Sequence, residues 1–308
     1  MTGTSNEDVT ADSKVATPLG DLLIRADAGG RLSADLSDHH CINGRGFGGW
    51  TAALAALAAA RSAGGKQLSS CHVVFSGAAV PGELEFSVLP LVEGRTAAAY
   101  QVTMHQSGKP VLGAQCWFAD PSMLAPAGPA SDRLAGVPPV AECPRLGWID
   151  ASFPFLGGFA EWAIEYPLSA DEFDGSFRGG GDTMSVWIAP AQDQWTAPGG
   201  SGPADGPTDG LAERLTDLMI LDTHLMDAAL RGTPGASMLS LDLAATWYAA
   251  PRRPGLTYFA AEGRAHGLLA ATSATLIEPD GTLRASGTSN CRVYPRPDPA
   301  SDRPHGPA

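Results

Sequence analysis

Apolar and polar residues alternate with a period near two over much of this chain, and in two places that period gives way to a helical one. Residues 21–27 (DLLIRAD) and 31–37 (RLSADLS) flank Gly29-Gly30 and predict an antiparallel hairpin. It leads into NGRGFGGWTAALAALAAAR (43–61), a glycine-rich turn followed by an alanine- and leucine-rich helix from about Gly48 to Ser62. Four strand-like stretches follow at 71–80, 83–93, 96–106 and 110–120, punctuated by Pro81-Gly82, Gly94 and Ser107-Gly108. A proline-, alanine- and glycine-rich segment, 121–147, reads as a linker laid over the surface.

The order then repeats. Strand patterns at 159–168 and 176–190 and a glycine-rich loop precede a helix at 211–230, where Leu211, Leu215, Leu218, Leu225 and also Asp222 share one stripe. Four more strands are predicted at 237–249, 256–265, 267–278 and 282–294, the last two joined at Asp280-Gly281. One apolar helix wrapped by about six antiparallel strands describes the hotdog fold. Two such units predict an α+β double hotdog, two antiparallel sheets joined edge to edge around two long helices. The expected organisation is a disordered N-terminus (1–17), a first hotdog repeat (18–120), the linker, a second repeat (148–294) and a disordered tail (295–308).

Composition narrows the function. Hydrophobic content of 44% with 17% charged residues is that of a globular chain. A net charge of −13 argues against nucleic acid and anionic membrane surfaces as partners. No leader-like or membrane-spanning apolar run is present, which predicts a soluble, cytoplasmic protein. The five cysteines, Cys41, Cys71, Cys116, Cys143 and Cys291, are too far apart for a metal framework and read as reduced, mostly buried residues. No cofactor is expected. Cys41, beside His39 and His40, is a nucleophile candidate against the simpler reading of a polar loop.

The glycine turn has two readings. Gly44, Gly46, Gly48 and Gly49 let backbone approach a ligand, and the N–H groups that open the helix can face an electronegative atom such as an acyl carbonyl. Alternatively, the small residues simply allow close packing. The turn lacks the Lys-Ser/Thr of a phosphate loop.

Phe47-Gly48-Gly49, Pro81-Gly82 and Gly108-Lys109-Pro110, in the register they keep here, resemble the first repeat of the acyl-CoA thioesterase II family of tandem hotdog proteins. The second half is similar more loosely, through SVWIAP, the helix around Asp222 and SLDLAATWYAAPRRP; the resemblance spans roughly 18–294. It implies an acyl-thioester hydrolase of lipid or secondary metabolism acting on acyl-CoA or an acyl-carrier thioester, with a homo-oligomer possible. The family's catalytic aspartate falls on Asp242, its partner His being replaced by Leu243. Where the family has a Thr or Ser this chain has Glu262, Gly263, Arg264 and His266, and where it has Gln this chain has Ser289 or Asn290.

Hydrolysis needs a polarised carbonyl and a water activated by a carboxylate. Asp242 is the candidate base, with Ser289, Asn290 and His266 around it; Gly48, Gly49 and Trp50 are candidate oxyanion donors, and Asp222, His224 and Arg264 candidate substrate-binding groups. Against these stand a solvent-facing aspartate at 242 and a plain helix polar pair at 222 and 224. Asp38, His39 and His40 are candidates for the pocket mouth, and Arg45, Lys109, Arg252, Arg253 and Arg264 for the phosphates of coenzyme A. Trp50, Trp117, Trp148, Trp162, Trp187, Trp195 and Trp247 read as core or acyl-tunnel residues. The altered positions keep two alternatives open: a dehydratase, isomerase or cyclase on the same scaffold, and a non-catalytic acyl-binding protein.

Overall fold

The computed structural model describes residues 22–124, 132–145, 163–168, 182–190, 209–231, 233, 236–249 and 255–294. The first half runs β1 (Arg25–Ala26), β2 (Leu32–Leu36), a small hairpin of β3 (Cys41–Ile42) and β4 (Arg45–Gly46), and α1 (Gly48–Ala60). It continues with β5 (Gln67–Phe75), β6 (Gly82–Glu93), β7 (Ala97–Gln106) and β8 (Lys109–Ala119). The second half runs β9 (Ala163–Pro167), β10 (Thr183–Pro190), α2 (Asp209–Arg231), β11 (Ser237–Ser240) and β12 (Asp242–Trp247). Its last strands are β13 (Thr257–His266), β14 (Leu269–Ile277) and β15 (Leu283–Tyr294). The segments expected to be disordered, 1–17 and 295–308, lie outside the described residues.

The larger sheet has 13 strands in the order β1-β2-β6-β7-β8-β5-β12-β15-β14-β13-β10-β9, with β11 also on β15. Every recorded pairing in it is antiparallel. Read inward from both sides, β2-β6-β7-β8-β5 and β10-β13-β14-β15-β12 have the same topology, and the halves meet where β5 pairs β12 (Asp242 opposite Val74, Ala244 opposite His72).

Both helices lie against this sheet and against each other. Gly49 through Ala59 of α1 are all buried, so the helix is apolar on every side and is surrounded rather than amphipathic. Burial of so many alanines depends on close approach, which the glycines provide. A Cβ on Gly49 would stand 2.7 Å from the Met219 Cα of α2, and one on Gly263 of β13 would stand 2.6 Å from the Ala228 carbonyl oxygen of α2. Backbone on the far side of Gly263 cannot swing away as a side chain would. Gly263→Ala is therefore expected to destabilise by about 1–3 kcal/mol, read as a lower urea midpoint with unchanged slope.

Local differences from the sequence reading have local causes. Asn43 and Gly44 have φ of 53° and 72°, so NGRG forms its own hairpin turn, and Gly44 serves the turn rather than a ligand. The strand expected over 237–249 is broken at Leu241, whose N–H donates to the Asn290 carbonyl (2.7 Å) while its own carbonyl accepts from the Phe75 N–H (2.9 Å). Residues 132–145 of the linker pack on the second half, where Trp187 Nε1 donates to the Pro138 carbonyl at 2.9 Å and Cys143 joins Trp187, Tyr258 and Ile277. No helix among the described residues is long and apolar enough to cross a membrane.

Candidate active site

Phe47 precedes α1 but offers no side-chain cap, so the helix's free N–H groups need another acceptor. Asp222 of α2 supplies it. Its Oδ2 accepts from the Gly49 N–H at 2.8 Å, and its Oδ1 accepts from the Ser240 hydroxyl at 3.0 Å. A Cβ on Gly48 would lie 2.7 Å from Asp222 Oδ2, so the carboxylate occupies the space that a side chain at Gly48 would need. Burial pushes the Asp222 carboxyl up to about 6, against the lowering effect of its bonds to Ser240 and Gly49.

That value has a sign for stability. The folded protein holds this proton up to about pH 6 and the unfolded chain only to 3.8, so stability from Asp222 is greatest below 3.8 and is lost as pH rises to about 6. The loss is on the order of 3 kcal/mol, from about 1.36 kcal/mol per pH unit. Wild type is expected to lose that much relative to Asp222→Asn between pH 4 and 7, measured as the change in their difference in unfolding free energy.

Two residues beyond Ser240, past the break at Leu241, Asp242 opens β12 and is half-buried. Its Oδ1 accepts from the Asn290 N–H at 2.7 Å and its Oδ2 from Asn290 Nδ2 at 2.8 Å. The Ser289 hydroxyl donates to the Asp242 carbonyl at 2.7 Å. Cys291 has its Sγ 3.7 Å from Ser289 Oγ. Burial pushes its thiol up to about 11, and the Asp222 and Asp242 charges act in the same direction.

Asp222, Ser240, Asp242, Ser289, Asn290 and Cys291 thus form one string across α2, β11, β12 and β15, with the start of α1 at one end. The structure gathers Asp242, Ser289, Asn290, Asp222, Gly48 and Gly49 from the predicted set. Trp50 is buried behind them, its ring stacked on His40 with centroids 3.8 Å apart. Gly49's N–H already serves Asp222, which leaves Gly48 and Trp50 as the oxyanion candidates.

The rest lie elsewhere. Arg264 and His266 sit on exposed positions of β13. Register places Arg264 beside Ala271 and Ala271 beside Asn290, so Arg264 is two strands, roughly 10 Å, from the string. His224, two residues after Asp222, points about 200° around the helix axis. Its Nδ1 donates to the Ile220 carbonyl at 2.9 Å, and its Nε2 meets Glu165 Oε1 of β9 at 2.8 Å. Burial alone would lower this imidazole, but the charge and hydrogen bond of Glu165 outweigh it and raise it. Cys41 is no thiolate, since burial and then Asp38 push it up. None of the five cysteines is in a disulfide. Trp187 and Trp247 are buried and Trp117 is exposed, while Trp148, Trp162, Trp195, Arg252 and Arg253 lie outside the described residues.

Sequence reasoning missed Ser240 as a participant, Glu165 as the partner of His224, and a buried ionic cluster. In that cluster Arg284 meets Asp217 at 2.6 Å and Glu278 at 3.1 Å, Trp247 Nε1 donates to Asp217 at 2.9 Å, and Arg214 lies over the Trp247 ring. The only sequence signal was charge within an otherwise apolar helix.

The acyl-CoA thioesterase N-terminal domain model matches residues 36–119. No curated protein matches the chain in sequence. Among solved structures, a thioesterase II from Thermobifida fusca is 19% identical with a TM-score of 0.68, covering 89% of this chain and 96% of its own. A hot dog fold protein of unknown function from Alicyclobacillus acidocaldarius is 18% identical with a TM-score of 0.70 (91% and 98% covered). An acyl-CoA thioesterase II from Mycobacterium marinum is 17% identical with a TM-score of 0.66 (91% and 99% covered). At such identities the solved structures speak for the α+β hotdog fold, and the domain match speaks for the first half. Together they give this chain a hotdog fold whose first half matches the acyl-CoA thioesterase N-terminal domain.

Proposed function

We propose that the protein hydrolyses acyl thioesters of the coenzyme A type at the string of polar groups where its two halves meet. The observation carrying this reading is Asp242, a half-buried carboxylate held by the backbone and side-chain donors of Asn290, with the Ser289 hydroxyl on its backbone carbonyl. The domain match over 36–119 supports the substrate class.

In this reading Asp242 accepts a proton from water, and the hydroxide attacks the thioester carbonyl carbon. The carbonyl oxygen takes up the charge, facing the Gly48 and Trp50 N–H groups and the positive end of the α1 dipole. Collapse breaks the C–S bond, and the thiolate takes the proton back from Asp242. Asn290 orients the carboxylate throughout. Its two hydrogen bonds occupy one lone pair on each oxygen, leaving a second on each for water.

The test is free-thiol release by purified protein with acetyl-, octanoyl- and palmitoyl-CoA. Turnover of at least one, well above the uncatalysed rate, is expected; none with any of them would overturn the proposal. The replacement of the family's hydroxyl by the Glu262–Arg264 segment motivates a second reading, dehydration or isomerisation of a bound acyl group. Product mass separates the two, because hydrolysis adds a water, dehydration removes one and isomerisation leaves the mass unchanged.

A further inference from the structure

We propose that Asp222 is a positioning residue for this site, tying the first turn of α1 in one half to Ser240 in the other, beside the Leu241 break that aims Asp242. The inference rests on the hydrolytic reading for its kinetic consequence, though its geometry stands independently.

The groups around Asp222 make this role specific. From α1 it meets the Gly49 N–H, with no Cβ at Gly48 to keep it out. From β11 it meets the Ser240 hydroxyl, and on β15 the Cys291 thiol is near enough to feel the charges of both Asp222 and Asp242. On α2 itself, His224 is on the far side, engaged with Glu165, and the Asp227 charge acts on His224. Among the described residues the hydrogen-bond partners of Asp222 are these two dipoles, and no cation is one of them.

Those two partners are not equivalent. The Gly49 N–H can only donate, whereas the Ser240 hydroxyl can donate or accept. When Asp222 takes up a proton, Oδ2 must remain an acceptor for Gly49, so the proton goes to Oδ1. The Ser240 hydroxyl then has to turn and accept. Protonation therefore leaves the α1 contact in place and changes the contact that leads to Asp242. Burial sets this exchange near neutral pH, since the group is raised to about 6.

Asp222→Asn reproduces the protonated arrangement permanently, its amide oxygen accepting from Gly49 and its amide nitrogen donating to Ser240. In wild type, kcat for octanoyl-CoA is expected to fall about tenfold as pH drops through about 6. The variant is expected to sit on the lower plateau from pH 5 to 8 with KM little changed. Ser240→Ala, which keeps Asp222 and the α1 contact, should show the same low plateau and covers the case of an Asp222→Asn protein that does not fold.

Backbone amide shifts of Leu241, Asp242 and Asn290, followed by NMR against pH, report the same event without substrate. They should titrate with a midpoint near 6 in wild type and lose that step in Asp222→Asn. If the step persists in both variants, or is missing from wild type, the positioning role is overturned whatever the turnover. If the step behaves as expected and no acyl-CoA is turned over, positioning stands and hydrolysis falls.

Discussion

Asp242→Ala is expected to lose about 10²–10⁴-fold in kcat for thiol release while keeping its circular dichroism spectrum and thermal midpoint close to those of wild type, the range set by removal of a positioned general base. The fold should tolerate the change because Asp242 is half-buried at the start of β12 and, among the described residues, its side chain hydrogen-bonds Asn290 alone. Its backbone contact, the Ser289 hydroxyl on the Asp242 carbonyl at 2.7 Å, survives the substitution. KM should change little, because the carboxylate acts on water and not on the acyl chain or the coenzyme. Full turnover in this variant would remove Asp242 from the mechanism.

Arg284→Met is expected to have the larger effect on stability, a loss of about 3–5 kcal/mol, because it removes one partner from a buried ionic cluster. Arg284 is 4% exposed and Asp217 is fully buried. Burial would lower the guanidinium, but Asp217, then Glu278 and Glu213, outweigh it and hold Arg284 charged. Burial also raises the Asp217 carboxyl even with Arg284 beside it. Without Arg284, that carboxylate keeps the Trp247 donor at 2.9 Å but loses its 2.6 Å guanidinium contact. Asp217→Asn in the Arg284→Met background should recover part of the loss, since the charge left behind is then gone. Differential scanning calorimetry of the two variants decides it, and equal midpoints for Arg284→Met and wild type would show that the cluster contributes nothing net.

Element type was legible because burial imposes a period. Strand alternation and turn glycines located nearly all of the larger strands, and the alanine-rich stretch after Gly48 could hardly be anything but an enclosed helix. The resemblance through Phe47-Gly48-Gly49 and Pro81-Gly82 named a family that the domain match over 36–119 supports. Asp242, Ser289 and Asn290 were nominated through that resemblance, and the structure does bring them together.

Other assignments depended on contacts between distant residues. Gly49 looked like an oxyanion donor because a helix start has free N–H groups, yet its partner is a carboxylate 173 residues away. His224 looked like a companion of Asp222 because two residues separate them, yet helical geometry sends it to Glu165 on β9. Arg264 and His266 lie in the strand where the family's hydroxyl belongs, but register sets Arg264 two strands from Asn290.

By itself, the sequence determined which segments must be strands and helices and that the order occurs twice, because hydrophobic periodicity is a local property. Only the tertiary structure decided which polar groups share a site. Pairing of β5 with β12 and contact between α1 and α2 at Gly48-Gly49 set those distances, and a buried carboxylate takes its partners, and so its protonation, from whatever the fold places beside it.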